Sequence, residues 1–136
     1  MAYWLVKEEP TKYTFEMFLK DRKTCWDGVR NYQARNNLRK MSEEDSVVFY
    51  HSGKLKSSMG TATVVAEGYP DPTATEGDWT AVDLKVVEAF DQPVTLAQVR
   101  ADAVLCECAL VKQTRLSVMP LTQKQFERMC KLGAVK

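Results

Sequence analysis

One histidine, His51, is all that the chain offers for imidazole chemistry. A Ser-His-Asp or Cys-His site would have to use it. Its neighbour Ser52 is no ready partner, because adjacent strand side chains point to opposite faces. The four cysteines, Cys25, Cys106, Cys108 and Cys130, include no Cys-x-x-Cys pair. Together with one histidine they give too few ligands at zinc spacing, so free thiols and no metal are expected. A Walker loop and a dinucleotide glycine fingerprint are both missing. So is the deaminase pairing of His-x-Glu with Pro-Cys-x-x-Cys. No cofactor is expected. No apolar run approaches the ~20 residues of a membrane-spanning helix. The opening Met1 to Pro10 has no basic leader, long apolar run or cleavage site,. These absences predict an intracellular protein, cytoplasmic or nuclear and not secreted, with no membrane partner. A large net charge is lacking too: 19 bases and 18 acids leave +1.

What is present fits one globular domain over residues 1–136, expected to be a monomer. The chain is 45% hydrophobic and 27% charged, enough for a real core,. Its charge is unevenly placed. Val29 to Met41 holds Arg30, Arg35, Arg39 and Lys40 with no acid, leaving 15 bases against 18 acids elsewhere. A basic element on a mildly acidic body suggests a localised anionic partner.

Short β-branched and aromatic runs predict strands at Tyr3 to Lys7, Ser46 to His51, Met59 to Tyr69, Trp79 to Phe90 and Leu116 to Val118, the last ended by Pro120. Helices are expected at Tyr13 to Lys20, with Thr14 as N-cap and Met17 and Phe18 facing inward, and at Arg30 to Lys40. Val29, Tyr32, Leu38 and Met41 supply the buried side of the second helix, and Arg30, Gln33, Asn37 and Lys40 an exposed stripe. Leu96 to Arg100 reads as a helical turn. Thr122 to Leu132 closes as a helix, with Thr122 and Gln125 in a capping box and Gly133 beyond it. Strands with interspersed short helices and no βαβ rhythm predict an α+β domain built on a small, strongly bent sheet or barrel.

The run Trp26-Asp27-Gly28-Val29-Arg30-Asn31-Tyr32-Gln33-Ala34-Arg35-Asn36 resembles the signature of the EVE domain. Four further stretches match in order: Tyr3 to Pro10, Phe49 to Ser52, Ala66 to Pro72 and Arg115 to Pro120. The resemblance implies a PUA-like fold, a curved β-barrel flanked by short helices. It also implies a nucleic-acid-binding reader of modified bases, related to the YTH readers, whose partner is DNA or RNA carrying a modified base. Modified cytosine in DNA is the leading case. Glu8 departs from the family, which usually has Ser or Thr there. The loop from Thr73 to Asp78 is shorter than in many relatives.

Residue types and resemblance together give an expected site. Trp26 offers an aromatic face worth ~1–3 kcal/mol in base stacking, or else is core. Gly28 lets backbone approach a planar ligand. Asn31 carries donor and acceptor for a base edge, or caps the helix. Val29, Glu8, Ser117 and Val118 complete the expected nucleobase contacts. Lys7, Arg30, Arg35 and Arg115 are expected at phosphates, with a solvated helix face as the alternative for Arg30 and Arg35. His51 and Ser52 are expected at the pocket rim, and Trp4 and Trp79 in the core. The mechanism expected is recognition, with no catalytic residue. The competing possibility is a small enzyme processing a nucleotide or modified base with His51 and either Asp27 or Glu8 as acid–base groups.

Overall fold

The computed structural model describes residues 1–134. Strands β1 (Tyr3–Glu8) and β3 (Ser46–His51) lie parallel in the middle of a six-stranded sheet. Trp4, Leu5 and Val6 are buried in succession, as are Val47 to Tyr50. Unbroken apolar runs of this kind belong to strands covered on both faces. The other strands are β2 (Lys23–Trp26), β4 (Ser57–Pro70), β5 (Thr80–Thr95) and β6 (Val118–Leu121). Their order is β2-β5-β4-β3-β1-β6. Register shifts recur along the long β4–β5 pair, from Ser58/Gly60 to Ala66/Tyr69. Such irregularities bend and twist a sheet, giving the expected curved α+β scaffold.

Helices α1 (Phe15–Asp21), α2 (Tyr32–Lys40), α3 (Leu96–Ala101), α4 (Ala109–Lys112) and α5 (Gln123–Leu132) flank the sheet. A 3₁₀ turn spans Leu105–Glu107. Thr14 caps α1 by accepting the Met17 N–H, and Thr122 with Gln125 forms the expected capping box on α5. The core gathers the rings of Phe15, Phe18 and Phe49, with Trp26 edge-on to Phe49 at 5.5 Å. Gly60 is required there: a Cβ would collide with the Phe15 ring and the Glu88 carbonyl.

Several expected details are corrected. Phe15, not Met17, joins Phe18 inside α1, and Met17 is exposed. Tyr32 faces solvent, because α2 begins only after Asn31 and its buried residues are Ala34, Asn37 and Leu38. Asn37 leaves the exposed stripe: it is buried, and its amide donates to the Val118 carbonyl at 2.7 Å. Trp79 lies outside the core, half-buried and stacked on Tyr32 at 5.1 Å. Strand β6 runs through Pro120, tolerable because β6 is an edge strand,. Strand β2, α4 and the 3₁₀ turn were not expected.

Candidate functional site

The parallel pairing of β1 and β3 brings their carboxyl ends to one side of the sheet. Lys7 and Glu8 end β1, Trp26 ends β2, and Ser52 follows β3. The Lys7 N–H donates to the Ser117 carbonyl at 2.9 Å, which fastens the segment before β6 alongside them. Between these parts lies an open cavity of about 320 Å³. Its wall is the turn Trp26 to Asn31, with Glu8, Lys7, Arg115 and Ser117 opposite. A second cavity of about 420 Å³ shares Glu8, Lys12, Trp26, Asp27 and Gly28, and extends to Tyr13 and Cys25.

The turn is held from outside by Asp71. This carboxylate, 5% exposed, accepts the Gly28 N–H at 2.8 Å and an Arg30 guanidinium N–H at 3.0 Å. Thr73 donates its N–H and hydroxyl to the other oxygen. Burial opposes ionisation of Asp71, but the bonds from Thr73, Gly28 and Arg30 outweigh it and hold its carboxyl at about 2,. Gly28 has φ +76°, and a Cβ there would meet nothing within 4 Å. The backbone therefore turns in the left-handed region favoured by glycine and leaves open space above itself. Burial pushes the Glu8 carboxyl up and the Lys7 ammonium down. Lys7 Nζ donates to the Thr114 carbonyl at 2.9 Å.

The structure brings together Glu8, Trp26, Gly28, Val29, Asn31 and Ser117 from the expected nucleobase contacts. Val118 is not among them; it is fully buried behind the cavity. Trp26 is 5% exposed, so most of its ring is covered and only a small part meets open space. Asn31 is the N-cap of α2: its side-chain oxygen accepts the Ala34 N–H at 2.9 Å. Its amide NH₂ is left to donate to a ligand. Lys7, Arg30 and Arg115 reach the cavity, while Arg35 does not. Its guanidinium lies 5.0 Å from the Tyr32 ring and 5.8 Å from that of Trp79, and donates to the Asp78 carbonyl and to Asn36.

Ser52 sits at the rim, but His51 does not. His51 is 2% exposed. Its Nε2 accepts the Phe15 N–H at 3.1 Å, so Nδ1 carries the proton and donates to the Glu8 carbonyl at 2.9 Å. Both ring nitrogens are thus engaged with backbone. Among the described residues no group of three or more His, Cys, Asp or Glu side chains gathers as a metal site would. Sequence reasoning missed Lys12, Thr114 and the role of Asp71. The first two sit in loops with no pattern of their own. Asp71 lay in view within the Ala66 to Pro72 stretch, between two prolines.

A bent mixed sheet with flanking helices, its polar cavity at the strand ends, is a PUA-like architecture. Residues 2–132 match the EVE domain, and the chain belongs to that family. It is similar to thymocyte nuclear protein 1 of Mus musculus, 35% identical over 159 residues, covering 92% of this chain and 70% of the mouse protein. A Rhodopseudomonas palustris protein solved by NMR superposes with a TM-score of 0.93 at 38% identity, covering 99% of this chain and 94% of that one. Human THYN1, solved in complex with 5-methylcytosine-containing DNA, superposes with a TM-score of 0.90 at 31% identity, covering 100% and 99%. The Mmi1 YTH domain shares the fold, with a TM-score of 0.61 at 12% identity, covering 98% and 75%.

Proposed function

We propose that this chain is a reader module that accepts one modified nucleobase of the 5-methylcytosine kind, flipped or single-stranded, in the cavity beside Trp26. The observation that carries the reading is the placement of acceptors, donors and apolar surface around that cavity. Cytosine presents an exocyclic amino donor, a carbonyl acceptor and, when methylated, an apolar methyl group. Glu8 and Asp27 supply carboxylates for the amino group,. The Asn31 NH₂ and the Ser117 hydroxyl supply donors for the carbonyl. Val29 offers apolar surface for the methyl. Lys7 and Arg115 stand at the same mouth, where the phosphates of a flipped nucleotide would lie, while Arg30 there is held by Asp71. The methylcytosine-containing DNA bound by the human relative supports the choice of base.

This is recognition and not turnover: His51, the acid–base group an enzyme would use, has both nitrogens bonded to backbone. The module acts as a monomer inside the cell and away from membranes, on DNA or on RNA. Among the described residues no helix is long and apolar enough to cross a membrane. Titration with matched single-stranded oligonucleotides, with and without one 5-methylcytosine, in DNA and in RNA, tests the reading. Burying one methyl is worth ~0.8 kcal/mol, so about fourfold tighter binding of the methylated strand is expected. Equal affinity for both would overturn it.

A further inference from the structure

A third cavity, of about 250 Å³, opens on the other side of Lys7. It shares Lys7, Ser52 and Thr114 with the cavity beside Trp26, so the two adjoin. Its charged lining is Lys7, Lys56 and Arg100, with no carboxylate. Among the described residues none of these three forms an ion pair with an acid. In the basic segment from Arg30 to Lys40, by contrast, Arg30 is paired with Asp71 and Arg39 with Asp78; among the described residues Arg35 and Lys40 are in no ion pair, and Arg35 donates to the Asp78 carbonyl and Asn36.

The cationic cavity is also fixed in place. Lys56 has φ +41°, a left-handed conformation uncommon for a residue with a side chain,. Its carbonyl accepts the Leu96 N–H at 2.8 Å, which ties the β3–β4 turn to the start of α3. Arg100, in the last turn of α3, stands near Tyr50; burial pushes the Tyr50 phenol up and the Arg100 charge opposes that rise. Exposed Lys56 and Arg100 thus flank a hollow floored by buried Tyr50 and Leu110.

We propose that this cavity is the phosphate track of the bound strand: Lys56 and Arg100 each hold a backbone phosphate next to the nucleotide whose base enters the cavity beside Trp26. The inference rests on the reader function proposed above. It locates the strand on the α3 side of the pocket and not along α2. Ser52 and Thr114 lie where the chain would pass from one cavity to the next, with hydroxyls able to donate to phosphate oxygens.

The test compares the salt dependence of binding for one single-stranded DNA carrying a single 5-methylcytosine. Each phosphate neutralised on a single strand contributes ~0.7 to the slope of log affinity against log salt. Replacing Lys56 and Arg100 together by Gln should lower that slope by ~1.4. The methylated-to-unmethylated ratio should stay as in wild type, because phosphate contacts carry no base information. The control replaces Lys124 and Lys131 on α5 by Gln, the same change in net charge at exposed positions away from the cavities. It should leave the slope near the wild-type value. Thermal melts check that both variants fold, the outcome expected for exposed side chains. If the two variants lower the slope equally, only net charge is felt and the track is refuted. If wild type binds and discriminates but the Lys56/Arg100 variant keeps its slope, the track is refuted and the reader function stands. If wild type binds neither strand, both fail.

Discussion

Trp26 is core and cavity wall at once. Its ring packs edge-on against Phe49, and its small exposed portion borders two cavities. Trp26→Ala should therefore cost about 3–5 kcal/mol of stability, the usual range for a buried tryptophan. Loss of binding in that variant would not isolate a ligand contact. Trp26→Phe should melt closer to wild type yet still weaken binding of the oligonucleotide. Melting curves paired with titrations check this, and a Trp26→Ala protein that melts like wild type would contradict the packing described. Glu8 carries a separate expectation. Burial raises its carboxyl above the usual 4.5, so it takes up a proton at a higher pH than an exposed glutamate. A protonated Glu8 accepts a base amino group poorly. Affinity for the cytosine-bearing strand should thus begin to fall, on acidification, above the ordinary glutamate range. In Glu8→Gln that pH dependence should be reduced and the affinity lower throughout. Affinity measured against pH for both proteins decides it, and superimposable profiles would remove Glu8 from the site.

The loop between β4 and β5 holds the Trp26–Asn31 turn through a single buried carboxylate. Asp71→Asn keeps the shape but weakens the bonds to the Gly28 N–H and to Arg30. A loss of about 1–3 kcal/mol is expected, the cost of a poorly satisfied buried polar group. The linkage has a definite sign. The Asp71 carboxyl moves from 3.8 to about 2 on folding, so its stabilisation is fully present above 3.8 and drains away as pH falls toward 2. Asp71→Asn should lower the melting temperature near neutrality and flatten its acid decline across that window. Elements with strong local signals were legible: the apolar runs of β1 and β3, the Thr14 cap of α1 and the capping box of α5. Strand β2 was not, because Lys23-Thr24-Cys25-Trp26 is short and half polar and is a strand only by pairing with β5. The surroundings of the basic segment from Arg30 to Lys40 were not legible for a related reason. The partners of Arg30 and Arg39 are Asp71 and Asp78, about forty residues away, and no local pattern announces them. Trp79, the first residue of a predicted strand, gave no sign that it would stack on Tyr32 outside the core.

At the scale of the molecule, two neighbouring cavities open at the ends of the parallel strands β1 and β3. The motif stretches of the sequence do converge in the fold: Glu8, Trp26 to Asn31 and Ser117 line one cavity. No local pattern announces that Lys56 and Arg100 line one cavity, because they belong to a turn and a short helix joined only in the fold. The most direct measurement of the central claim is residue-resolved. Backbone amide shifts of the ¹⁵N-labelled protein should be followed as single-stranded DNA with one 5-methylcytosine is added. The account predicts the largest changes at Glu8, Asp27, Gly28, Val29 and Ser117, with little change along α5. Saturating changes centred elsewhere, with those five amides unmoved, would contradict it.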